Sequence, residues 1–166
     1  MRAFLFRLVH HLVARPLRAF FLWDSMQRFY DWTALWAFKP EIVCILYVED
    51  GKLLGVARRG TRNRWGLPGG KVELGEDLLE AAIRETFEEA KVVPLGLKEF
   101  YRGYSQHQHK IVQVYTAREI VGEPTQGDAG AVGFITWDQL VAGPFGEFHK
   151  VVRNHYFWKF EAASSL

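Results

Sequence analysis

A chain of 166 residues, 49% hydrophobic and 24% charged, has room for one domain of ordinary size plus an appendage, and is too apolar for general disorder. Its formal net charge of +2 is too close to balance to mark a nucleic acid or an acidic polymer as partner. The single cysteine, Cys44, excludes an intramolecular disulfide and an all-cysteine zinc site. Within the apolar run 42–46 it reads as a buried, inert thiol, compatible with a reducing compartment.

Residues 1–23 contain no acidic side chain, while Arg2, Arg7, Arg15 and Arg18 interrupt a strongly apolar string. On a helical wheel Arg7, His11, Arg15 and Arg18 fall on one side, opposite Leu5, Leu8, Val9, Leu12, Val13 and Leu17, an amphipathic pattern. No stretch in it approaches the roughly 20 uncharged apolar residues that span a bilayer. Pro16 kinks or restarts the helix. Three readings stay open: a helical arm on its own domain or on a second copy in a homodimer, a peripheral membrane helix, and an arginine-rich mitochondrial transit peptide that is unusually poor in serine. The expected location is accordingly the cytoplasm, with membrane association or mitochondrial import left open by this segment.

Lys39-Pro40 separates the extension, residues 1–39, from a domain over residues 40–166. A β-type run over 42–48 is followed by a hairpin turn at Glu49-Asp50-Gly51-Lys52 and a returning strand over 53–58. A basic loop, Arg58, Arg59, Arg62 and Arg64, leads into the elbow Trp65-Gly66-Leu67-Pro68-Gly69-Gly70. The spacing then predicts a helix over 77–90, strands over 98–104, 111–118 and 132–136, and helices near 138–141 and 147–160. Mixed strands with one central and one late helix indicate an α/β layered domain.

The central helix carries the chemistry. Asp77 and Glu80 have capping-box spacing, and Leu79, Ala82, Ile83, Thr86, Phe87 and Ala90 are expected to face a core. On the other side Glu85, Glu88 and Glu89 stand at i, i+3 and i+4, so three carboxylates share about one turn. Arg84 can pair with Glu80 or Glu88, which leaves negative charge uncompensated. A solvated acidic face is one reading of this pattern. A divalent cation is the other, and an all-oxygen donor set favours Mg²⁺ or Mn²⁺ over zinc. Gly69 and Gly70 allow close backbone approach just ahead of the helix, so their carbonyls could join the carboxylates around one ion.

Read as a unit, Gly70, five residues, Glu76, seven residues and then Arg84-Glu85-Thr86-Phe87-Glu88-Glu89-Ala90-Lys91-Val92 closely resembles the Nudix box. The resemblance is sharp over residues 65–92, diffuse over the rest of 40–160, and absent from the extension. It departs at Lys91, where the family usually has glycine. A left-handed residue there costs a non-glycine side chain about 1 kcal/mol, so the helix is expected to end differently. Many members also carry a late glutamate, for which this chain offers only Asp128.

The resemblance implies a Nudix-type α/β/α sandwich with a mixed sheet, and a Mg²⁺-dependent hydrolase cleaving a diphosphate linkage in a small nucleotide. Glu85, Glu88, Glu89 and the Gly69 carbonyl are then expected to bind metal, with Mn²⁺ as substitute. Glu88 or Glu89 acts in catalysis with Arg84, and Gly70 and Glu76 hold the motif. Arg58, Arg64 and His107 are the candidate substrate contacts; Ser105, His107 and His109 would share one face if extended. The neighbourhood His107-Gln108-His109-Lys110 shows neither the proline of ADP-ribose-type members nor the tyrosine of dinucleoside-polyphosphate members, so a nucleoside triphosphate or similar nucleotide is expected. The rival readings are a catalytically silent nucleotide sensor and a membrane-recruited interaction protein.

Overall fold

Five consecutive apolar residues, three of them β-branched, make β1 (Ile42–Leu46) a strand flanked by protein on both faces. In the computed structural model, which describes residues 38–57, 60, 64–128 and 130–160, it lies inside a four-stranded mixed sheet. Antiparallel β5 (Gly69–Lys71) is on one side and parallel β8 (Lys110–Thr116) on the other, and β7 (Lys98–Ser105) pairs antiparallel with β8 at the edge. A second sheet is centred on β3 (Lys52–Ala57). It pairs β10 (Val132–Ile135) along one edge, and β2 (Val48–Glu49) and β4 (Trp65–Gly66) along the other. β6 (Val93–Leu95) and β9 (Glu119–Val121) form a two-stranded sheet.

Alternation along β1 sends its side chains to two different layers. Val43 and Ile45 pack with Ala81, Ala82 and Ala90 of α1 (Leu78–Ala90). Ile42 and Leu46 pack with Trp137 and Leu140 of α2 (Trp137–Val141) and with Phe148 and Val152 of α3 (Gly146–Phe160). This is the α/β/α arrangement expected. The readings of the extension over residues 1–37, and of Arg58, Arg59 and Arg62, lie outside the described residues. No helix among the described residues is long and apolar enough to cross a membrane.

The turn at Asp50-Gly51 is as expected, with φ of 48° and 75° joining β2 to β3. Other boundaries shift by a residue or two: the run predicted over 42–48 breaks into β1 and β2, and 111–118 contracts to 110–116. The packing of α1 corrects the expected face. Its buried residues are Ala81, Ala82, Thr86 and Ala90, whereas Leu79, Ile83 and Phe87 are 42%, 37% and 49% exposed. The rows 81-85-89 and 82-86-90 turn inward, so small side chains let the helix sit close while Glu85 and Glu89 share that inward arc. Thr86 is accommodated because its hydroxyl donates to the Ala82 carbonyl at 2.7 Å.

Both ends of α1 are specified locally. Asp77 accepts from the Leu79 amide at 2.8 Å, a cap of about 1 kcal/mol, and bonds at that position rather than at Glu80. At the other end Lys91 does adopt the left-handed conformation, φ 59°, with its amide donating to Phe87 O at 3.0 Å. The expectation of a different ending is therefore corrected. Its ammonium lies 5.4 Å from the centre of the Phe87 ring, a cation–π contact that offsets part of the backbone cost.

Candidate active site

Two glycines of β5 bring the backbone against the inward carboxylates of α1. The Gly69 amide donates to Glu89 Oε2 at 2.9 Å. Gly69 has φ 150°, and a Cβ there would collide with the Val43 carbonyl of β1, so only glycine fits. At Gly70 a Cβ would occupy the space of the Glu85 carboxylate. The close approach expected of this pair is thus present, and each glycine serves a different glutamate.

Arg84 organises the rest. Its Nε and Nη2 make a fork on Glu76 at 2.7 and 2.9 Å, Nη2 also donates to Lys71 O at 3.0 Å, and Nη1 donates to Glu85 at 3.0 Å and Glu88 at 3.4 Å. Glu76 also accepts from the Glu73 amide at 2.9 Å. The Arg84 hydrogen bonds hold the Glu76 carboxyl down at about 2 and raise the guanidinium above its ordinary value. Of the two expected partners Glu88 is met and Glu80 is not; the main partner is Glu76, so Arg84 ties the loop before the helix to the helix itself.

Glu85 and Glu89 sit on the protein side of this network. Burial pushes Glu89 up to about 7, against the pull of the Gly69 amide, with like charge from Glu85 and Glu88 adding to the rise. Burial also raises Glu85, although Arg84 opposes it. Cys44, half-buried rather than fully buried as expected, lies in the same field: burial first, then Glu89 and Glu85, push its thiol up to about 12, which disfavours the reactive thiolate. Among the described residues, no three His, Cys, Asp or Glu side chains already stand in a metal-binding cluster. The half-buried carboxylates of Glu85 and Glu89 beside glycine backbone, with Glu88 next to them, nevertheless offer a hard-oxygen donor set, so the residues that could hold a divalent ion are Glu85, Glu88 and Glu89.

The chain after β9 closes the far end of α1. The amides of Thr125, Gly127 and Asp128 donate to the carbonyls of Ala90, Glu89 and Glu88, each at 3.0 Å. Asp128 is therefore anchored at the backbone of Glu88, next to Gly127 on that of Glu89, and it is exposed.

Two cavities meet at this site. One, of about 250 Å³, is lined by Glu89, Gly69, Arg64, Gln108, Pro144 and Phe145. The other, of about 380 Å³, is lined by Ser105, His107, Gly143 and Phe148, and shares Pro144 and Phe145 with the first. Arg64 is thus beside the carboxylates, whereas His107 belongs to the neighbouring cavity. The expected common face of Ser105, His107 and His109 is not formed. The strand stops at Ser105 and residues 106–109 turn, with His109 at φ 53° and its Nδ1 3.1 Å from the Tyr104 hydroxyl. The contribution of Pro144 and Phe145 was missed, and the only sequence signal for it was a Gly-Pro-Phe-Gly break between two predicted helices.

The family model for the NUDIX domain matches residues 37–156. Over 119 residues the chain is 31% identical to a protein of Methanocaldococcus jannaschii named ADP-ribose pyrophosphatase, covering 67% of this chain and 69% of that one. Among solved structures, a MutT Nudix hydrolase from Burkholderia pseudomallei superposes with a TM-score of 0.58 at 24% identity, covering 71% of this chain and 98% of its own. A MutT protein from Methanosarcina mazei gives 0.56 at 21% identity, covering 73% and 95%. A family match over most of the chain, falling on the loop and helix that gather the carboxylates, makes this protein a member of the Nudix hydrolase family.

Proposed function

We propose that the chain is a Mg²⁺-dependent pyrophosphohydrolase that cleaves the diphosphate linkage of a small nucleotide, with nucleoside triphosphates favoured. The observation that carries this reading is the seating of Glu85 and Glu89 against Gly70 and Gly69, with Arg84 fixing loop and helix together. Glu85, Glu88 and Glu89, with the Gly69 carbonyl, would hold a divalent cation there, which would supply positive charge for the diphosphate oxygens and for activating water. The donor set suits Mg²⁺, with Mn²⁺ as a substitute. The side chain of Glu88 is 45% exposed, and this accessibility supports its assignment as acceptor of the proton from the attacking water. Arg64 offers a cation to substrate phosphate in the same cavity as Glu89. The adjoining cavity takes the nucleoside, and its 380 Å³ suits a small-molecule pocket.

The test is phosphate and pyrophosphate release from nucleoside triphosphates, NADH, nucleotide sugars and ADP-ribose, with Mg²⁺ and with chelator. The likeness to the M. jannaschii protein is the reason ADP-ribose belongs in the panel. Metal-dependent turnover that is lost in Glu89→Gln supports the reading. Nucleotide binding without turnover would replace it with a sensor.

A further inference from the structure

We propose that Ser105 is a specificity-determining residue whose hydroxyl hydrogen-bonds the edge of the substrate's heteroaromatic base, at the inner wall of the larger cavity. The inference rests on the nucleotide-hydrolase reading above and concerns which part of the substrate is selected.

Side-chain alternation along β7 places Ser105 on the same side as Tyr101. Tyr101 meets Phe148 of α3 at 5.8 Å between ring centres, so Ser105 points into the space between β7 and α3, where the cavity lies. Ser105 is 1% exposed, and its Oγ is the one buried side-chain polar atom among the described residues that lacks a hydrogen-bond partner. A buried hydroxyl without a partner destabilises the fold relative to alanine. A ligand offering a ring nitrogen, carbonyl or amino group would complete it.

The walls around it are largely fixed, so the movement that uncovers the Ser105 hydroxyl to a ligand is a local one. A Cβ at Gly143 would strike the Trp65 carbonyl, and one at Gly146 the Val141 carbonyl, so the segment between α2 and α3 is held in place by backbone contact. His107 and Phe145 stand edge to face at 5.2 Å beside the cavity, an aromatic frame for a planar ring. Phe145 and Pro144 also border the cavity of Glu89, Gly69 and Arg64. A nucleotide spanning both therefore has its diphosphate at the carboxylates and its base towards Ser105.

The experiment compares the native chain with Ser105→Ala using ATP, GTP and ADP-ribose with Mg²⁺. Tripolyphosphate serves as a ring-free competitive inhibitor. Expected is a rise in KM of about tenfold for the preferred nucleotide, the effect of one hydrogen bond, with kcat little changed. The inhibition constant for tripolyphosphate should stay the same, and the ligand-free variant should melt no lower than the native chain. A KM within twofold of native overturns the proposal. So does a variant that melts lower and binds tripolyphosphate equally worse, because that is a structural role. If the native chain turns over none of the three, the enzyme reading fails separately, and nucleotide dissociation constants from calorimetry replace KM. Equal constants in both proteins, or no binding in either, then sink the Ser105 assignment.

Discussion

The Gly69 amide and the Glu89 carboxylate, 2.9 Å apart and twenty residues apart in the chain, form one of the contacts through which β5 holds α1 at the site. The bond couples a backbone donor that only glycine can place to a carboxylate that burial destabilises as an anion. Structure and charge therefore meet in one side chain.

Glu89→Gln separates the two. Amide oxygen can still accept from Gly69, so the fold should persist while turnover falls at least 10²-fold, the scale of losing a positioned catalytic group. The native carboxyl is raised to about 7 in the fold, from an ordinary 4.5. Between those values the unfolded chain releases the proton first, so this contribution to stability is present below about 4.5 and is lost as pH rises through about 7. In chelator, the variant should therefore gain in melting temperature over the native chain from pH 4.5 to pH 8. Parallel melting curves across that range would refute the burial of Glu89.

Gly70→Ala tests the second glutamate. Its Cβ would enter the space of the Glu85 carboxylate, the movable end of a side chain, rather than backbone. The protein should fold, with Glu85 displaced, and activity and metal affinity should fall 10- to 100-fold, the range seen when supporting contacts of a metal site are lost. Gly69→Ala, which strikes Val43 backbone and has φ 150°, should instead fail to give stable protein. Metal titration and yield of soluble protein check both.

These glycines were legible because a Gly-Gly elbow at fixed spacing from an acidic helix is a local pattern, and so were β1, the Asp50-Gly51 turn and the two late helices. The inward turn of Glu85 and Glu89 was not. A wheel ranks large apolar residues as core, yet here the approach of α1 to the sheet selects Ala81, Ala82 and Ala90 and leaves Leu79, Ile83 and Phe87 outside. Strands β4, β5, β6 and β9 have two or three residues each, too few to show a period of two. Pro144 and Phe145 reach Glu89 only through tertiary folding, which no spacing along the chain reports.

Lys91→Gly should stabilise the protein. The left-handed φ of 59° costs a side chain about 1 kcal/mol, and glycine avoids it. Loss of the contact with Phe87 returns part of that, about 0.5 kcal/mol at an exposed site. A net gain of about 0.5 kcal/mol in denaturant unfolding with unchanged turnover is expected. A loss of stability would show that the ammonium–ring contact outweighs the backbone strain.

His149 gives the chain an acid limit that does not involve the carboxylates. It is 2% exposed, with Nδ1 donating to Leu140 O at 3.2 Å, which fixes the neutral tautomer between α2 and α3. Burial pushes it down to about 4, and the Leu140 carbonyl opposes that only in part. The unfolded chain takes up a proton near pH 6.5 that the fold refuses until about 4. The stability this residue contributes is therefore present above about 6.5 and lost as pH falls through about 4. His149→Gln should be less stable at pH 8, having lost a well-packed ring, yet its stability should decline less steeply between pH 6.5 and 4, by about one proton. Urea unfolding at a series of pH values measures that slope. An unchanged slope would mean that His149 is protonated in the fold as readily as out of it, and that the Leu140 bond is not with a neutral ring.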